Sequence, residues 1–419
     1  MSKLWQKTDE PDTDADIFCS FTTGNDYQLD QTYFIKHDII ASKAWAYALC
    51  SNGIYAYNEY KTVEASLNSI LESYEQGTFN VKPEDEDCHT AIENALIAMT
   101  GDLGKKIHTG RSRNDQSLTM IRMFMKDSLW ECTGEVSKLI YTINEQFEKY
   151  QDDIFIGYSH TQQAMPITIG HYFSAHKESL ADDMRHLKMV SDFINQNPLG
   201  TGAGFGSPID INRDVLSNTL NFNKTQNNSL YCQNSRGKFE LLFIQSLSQV
   251  MLSLQRLATD MIFYTTRELA LFKMSDSLSQ GSSMMPQKKN PDVFELIRAK
   301  SADVMSLEER VKLIIKGLPS GYNRDLQEIK ACIVDAYNIT KNCTYIMQLA
   351  MKHITPDSKA IESKLQSDIV AADYAISKCI NNRNLNFRDV YKETMSGELP
   401  LKPIDAVGLR KSKGSPMNI

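Results

Sequence analysis

The segment Gly281-Ser-Ser-Met-Met-Pro-Gln-Lys-Lys-Asn-Pro291 gathers small residues, hydroxyls, two ammonium groups and an amide. Such a loop on a rigid scaffold suits anion binding. A helix beginning at Asn290-Pro291 would turn its positive end toward the same loop. The loop's hydroxyls are Ser282 and Ser283, and its ammonium groups Lys288 and Lys289. A second segment, His108-Thr-Gly-Arg-Ser-Arg-Asn-Asp-Gln116, sets Arg111 and Arg113 two apart beside Ser112 and Asn114. Guanidinium groups so placed can hold a carboxylate; the plainer role is a solvated helix start capped by Asn114 or Asp115. In Gly157-Tyr-Ser-His-Thr-Gln-Gln163, His160 is the general acid/base candidate, because imidazole titrates near neutrality. His89, in Cys88-His-Thr90, is another histidine of this kind, although a lone histidine is more often structural. A fifth segment, Lys316–Lys330, makes a Gly/Pro turn and then offers Tyr322, Gln327 and Lys330 to line a pocket.

Other chemistries find less support. The run Gly200-Thr-Gly-Ala-Gly-Phe-Gly206 lacks GxGxxG spacing and a strand–turn–helix setting, which argues against a dinucleotide loop. Ser282 is not in a GxSxG elbow. The eight cysteines form no CxxC pair, so neither a metal site nor a redox motif is expected, and no cofactor is implied. Scattered thiols suit a reducing compartment. The polar start of the chain has no apolar signal core, and no apolar run is long enough for a membrane helix, so a cytoplasmic protein is expected. A net charge of −7 argues against nucleic-acid binding.

These segments must be positioned by helices. Ile121, Met125, Leu129, Cys132, Val136, Ile140, Ile143 and Phe147 step by three or four and form one helical stripe. Phe243, Leu247, Val250, Leu254, Leu257 and Met261 form another with near-heptad spacing. A third long helix is expected from Asn290-Pro291 to Lys316, stopped by Gly317-Leu-Pro319. No strand pattern competes. Helices this long need partners along their length, which points to an all-α bundle completed by subunit association. The expected divisions are an N-terminal helical domain, 1–108, a central long-helix domain, 109–356, and a small C-terminal helical domain, 357–419.

In this order the five segments resemble the argininosuccinate lyases of the aspartase/fumarase superfamily. The resemblance rests on Ser282-Ser with Met285-Pro-Gln-Lys-Lys-Asn-Pro-Asp292, on His108–Gln116, on Gly157–His160, on His89-Thr-Ala-Ile-Glu93, and on Gly317-Leu-Pro with Tyr322-Asn and Asp325-Leu-Gln-Glu328. It implies an all-α subunit of three domains, a homotetramer with active sites shared between subunits, and cofactor-free cleavage of argininosuccinate to arginine and fumarate. It further implies that Ser282 abstracts the proton with help from Lys288, and that His160 is the acid/base partner. Asn114, Ser159 and Asn290 would hold the succinyl part, with Ser112 and Arg113 nearby; Tyr322, Gln327 and Lys330 would hold the arginine part. His89 is carried over as a substrate-binding residue.

The chain departs from the family pattern at several places. Ser159 stands for a usual Thr, Met165 for Gln, and Arg324 for Lys. Around residues 228–239, Asn228-Ser-Leu-Tyr231 and Ser235-Arg-Gly-Lys-Phe239 lack the usual acidic side chains, and the arginine is displaced. The changes spare the proton-moving groups but touch the amine side. Two other readings follow: a lyase releasing fumarate from another N-substituted aspartate, or an inactive structural homologue like some lens crystallins. Retention of Ser282, His160, Lys288 and Asn290 speaks against the latter.

Overall fold

The computed structural model describes residues 14–281, 283–394 and 399–419. In chain order, the elements that matter for the site begin with helices α1 (Ala15–Thr23), α2 (Ile35–Ser51), α3 (Tyr57–Glu75), α4 (Cys88–Thr100) and α5 (Arg113–Tyr150). A hairpin of β1 (Ile154–Ser159) and β2 (Gln162–Thr168) follows, then helices α6 (Ile169–Ile194) and α7 (Lys238–Tyr264). Strands β3 (Gln280–Gly281) and β4 (Lys289–Asn290) precede helices α8 (Asp292–Ile315) and α9 (Ile329–Lys352). The fold is all-α, as expected.

The apolar stripes become core. On α5, Ile121, Met125, Leu129, Cys132, Val136 and Ile143 are buried. Ile140 is only half buried, and its neighbour Leu139 takes the inward position. On α7 every residue of the stripe from Phe243 to Met261 is buried.

Two expectations need correction. Strands do occur: among the described residues there are four two-stranded pairings. In addition, Asn290 is no helix cap; it ends β4, paired with Gln280. The backbone carbonyl of Pro291 accepts from Phe294 and Glu295 instead, so α8 begins after the proline. The helix ends at Ile315, and Gly317, at φ +81°, turns the chain.

The chain divides into two compact units. One comprises residues up to Trp130, Met189–Ile244 and Leu307–Asp335. Its core gathers Phe34, Ile39, Trp45, Leu49, Leu67, Ile92, Leu96 and Leu118; Phe34 and Phe124 meet edge-to-face at 5.0 Å. A buried cation, Arg122, cross-links three loops of this unit. Its guanidinium donates to the Gln196 carbonyl (2.7 Å), to Gln226 Oε1 (2.6 Å) and to Ser235 Oγ (3.1 Å), and lies over the Phe239 ring.

The other unit comprises Glu131–Lys188, Gln245–Ser306 and Ala336–Ile419. Phe155, Tyr172, Phe173, Tyr264 and Phe272 form an aromatic cluster that anchors the hairpin, with Phe155 5.1 Å from Tyr264.

Candidate active site

In the first unit, the start of α5 is capped by Ser112 rather than by Asn114 or Asp115. Ser112 Oγ accepts from the Asn114 amide (3.2 Å), and the Ser112 amide donates to Asp115 Oδ1 (3.0 Å). Asp115 is fully buried, and its other oxygen accepts from the amides of Gly200 (3.0 Å) and Gly202 (2.9 Å). The glycine run is therefore a turn that delivers two N–H donors to one carboxylate. Gly200 and Gly202 stand at φ +89° and +58°, where a side chain is strained. The result fixes Arg113 and Asn114 at the mouth of a pocket.

The start of α4 forms a second wall. Asp87 caps this helix, accepting from the Thr90 amide (2.8 Å) and hydroxyl (2.9 Å). It also pairs with Arg113 at 3.1 Å, and Arg113 donates to Thr90 Oγ1 at 2.8 Å. His89, next along, is buried, with Nδ1 2.9 Å from Asp38 Oδ2. Gln116 donates to the same carboxylate at 2.8 Å. Burial opposes charge on both partners. The imidazole charge and hydrogen bond nevertheless hold the Asp38 carboxyl below its usual range, and Asp38 in turn raises the His89 pKa. His89 Nε2, on the far side of the ring, is buried without a hydrogen-bond partner among the described residues.

The third wall is the turn Arg324–Glu328 and the start of α9. Gln327 and Arg324 both donate to the Thr22 carbonyl of α1, at 2.9 and 2.8 Å. Lys330 is buried between Asp26 and Asp30, 2.8 Å from each. Burial disfavours its ammonium, but the two carboxylates outweigh that and push the pKa up. Tyr322 lines the pocket beneath Arg236, whose guanidinium is 4.8 Å from the ring centroid.

The pocket thus unites six of the expected residues: His89, Arg113, Asn114, Tyr322, Gln327 and Lys330. Ser112 shapes it as a cap. The sequence did not point to Asp26, Glu86, Asp87 or Ser117, and showed Arg236 and Arg324 only as departures from the family pattern. Asp87 carried a signal, since an Asp three residues before Thr90 reads as a helix cap; Asp26 carried none.

The remaining expected residues belong to the second unit. Ser159 and His160 are exposed at the tip of the hairpin, where Ser159 pairs with Gln162. His160 and Thr161 make the two-residue turn with φ +52° and +59°. Positive φ at both positions is the geometry of a turn usually filled by Asn-Gly, so this one holds a histidine and a β-branched residue under strain. Pairing of β3 with β4 ties together the ends of the 281–291 loop; Lys288 is exposed and Asn290 half buried. Ser282 lies outside the described residues.

An all-α scaffold that presents polar loops between long helices is the architecture of the fumarase-type lyases. The closeness to solved structures bears on fold alone: an EDDS lyase with formate superposes at TM-score 0.78, with 21% identity over 94% of this chain and 86% of the other. A class II fumarase from Schistosoma mansoni gives 0.75, with 14% identity over 90% and 87%. A model of the family described as Lyase matches residues 18–306. The argininosuccinate lyase of Thermotoga neapolitana is 39% identical over 392 residues, 93% of this chain and 96% of the relative. That of Bacteroides thetaiotaomicron is 36% identical over 93% and 86%. The chain belongs to the argininosuccinate lyase family.

Proposed function

We propose that the protein cleaves argininosuccinate to arginine and fumarate by general acid/base β-elimination, in arginine biosynthesis. The observation that carries this reading is the pocket itself: six expected residues from three separated sequence segments, His89, Arg113, Asn114, Tyr322, Gln327 and Lys330, line one cleft. The reaction must remove a weakly acidic C–H beside a carboxylate, hold the dianionic intermediate, and protonate the departing guanidino nitrogen. Ser282 takes the proton, its alkoxide favoured by Lys288 and loop amides. His160 is the acid/base partner. Asn114, Ser159 and Asn290 hold the succinyl carboxylates, with Ser112 and Arg113 shaping that end. His89, whose pKa Asp38 raises against the effect of burial, adds a hydrogen-bonding group through Nε2, which has no partner among the described residues. Tyr322, Gln327 and Lys330 form the arginine end.

Two further parts of the reading concern the assembly. The long helices suit a homotetramer in which sites are shared between subunits, and the candidate residues fall in two separate units of the chain. No helix among the described residues is long and apolar enough to cross a membrane, and the reading includes a cytoplasmic location and no resident cofactor. Turnover of a panel of N-substituted aspartates tests the substrate assignment. Preference for argininosuccinate supports it, and a stronger preference for another adduct overturns the amine side.

A further inference from the structure

Four cations line the pocket, and three of them are already satisfied. Lys330 sits between Asp26 and Asp30. Arg113 holds Asp87 and Thr90, with Glu86 at 3.8 Å. Arg324 donates to the Thr22 carbonyl. Arg236 differs. It is 7% exposed, yet among the described residues its side chain makes no hydrogen bond and no ion pair within 4 Å. Its one direct contact of this kind is the face of Tyr322. A guanidinium has five donors, and burying them unpaired is costly unless a ligand supplies the acceptor.

The backbone explains why the cation is at this position. Gly237 stands at φ +78°, and a Cβ there would come within 2.2 Å of Ile315 Cγ2. Position 237 therefore has no room for a side chain in this fold. The neighbouring Ser235 is pinned by Arg122, and the Gly237 amide by Glu240 Oε2 at 2.6 Å. The turn that aims Arg236 into the pocket is thus held from both sides.

We propose that Arg236 is a specificity-determining residue that binds the α-carboxylate of the amino-acid end of the substrate. The inference rests on the reading of argininosuccinate as substrate. Its planar fork matches a carboxylate in two parallel hydrogen bonds, and its stacking on Tyr322 places it at the arginine end. Lys330 cannot serve as readily there, because two carboxylates already share its ammonium.

The test compares kcat and KM for argininosuccinate and for the corresponding adduct of agmatine, which lacks the α-carboxylate. The wild-type protein, R236Q and R236K are used, each checked for an unchanged unfolding midpoint. The wild type is expected to favour argininosuccinate. R236Q is expected to raise KM for argininosuccinate about 10- to 100-fold with kcat little altered, and to change the agmatine adduct far less. R236K is expected to recover part of the loss. Equal losses on both adducts would make Arg236 a support for Tyr322 only and overturn the inference, as would an R236Q that keeps the wild-type preference. A wild type that cleaves neither adduct overturns the substrate reading first, and this inference with it.

Discussion

His89 and Asp38, 51 positions apart in the chain, meet at 2.9 Å behind the pocket, leaving His89 Nε2, on the other side of the ring, without a hydrogen-bond partner among the described residues. Asp38 is completely buried, so its charge acts on the imidazole with little screening by water. Asp87 and Asp30 add to the same effect.

The sign of the resulting pH dependence follows from linkage. The folded pKa of His89 lies above its usual value near 6.5, so its contribution to stability is complete below about pH 6.5 and is lost as pH rises through the folded value. Asp38 is shifted the opposite way, so its contribution is present above about pH 3.9 and lost as pH falls through the folded value. Unfolding free energy is therefore expected to be greatest between these limits. Asp38→Asn should flatten both limbs in denaturant titrations across pH. It should also move the alkaline rise in KM for argininosuccinate to lower pH, because burial is then opposed only by the weaker charges of Asp87 and Asp30. An unchanged KM profile in that variant would remove His89 from the substrate-binding set.

Asp115 receives three backbone N–H groups, one on Oδ1 and two on Oδ2. Asparagine has only one side-chain oxygen, so its NH₂ must face either Ser112 or the glycine turn. Asp115→Asn is expected to lower stability by about 1–3 kcal/mol and to raise KM, since Arg113 and Asn114 lose their anchor. Denaturant unfolding and steady-state kinetics check the two effects separately. A variant of wild-type stability would show that the glycine turn holds without this carboxylate.

The proton-moving roles make a kinetic claim. Ser282→Ala and His160→Asn are each expected to lower kcat by about 10²- to 10⁴-fold, the usual weight of one general acid or base, with KM changed little. Single-turnover measurements of fumarate release at saturating substrate give the answer directly. Near-full activity in a pure Ser282→Ala preparation would take that residue out of its assigned role.

Legibility in the sequence followed the range of the forces involved. The long helices were visible because their stripes repeat within one element, and Phe243 to Met261 are buried as the spacing requires. The β1–β2 hairpin was not, because Ile154-Phe-Ile is apolar on successive residues and the turn His160-Thr161 contains neither Gly nor Asn. Six pocket residues were reached through motif resemblance. Asp26, Asp38 and Arg236 were missed as site components, since what places them is contact across tens to hundreds of residues: Asp26 with Lys330, Asp38 with His89, Arg236 with Tyr322. The glycine run lacks dinucleotide-loop spacing, but nothing local announces that its amides serve Asp115.

The most direct measurement mixes the purified protein with argininosuccinate and follows fumarate by its ultraviolet absorbance while quantifying arginine in the same sample. The two products are expected to appear in equal amounts, catalytically and without added cofactor. Absence of fumarate from a folded preparation, at any protein concentration tested, would contradict the assignment.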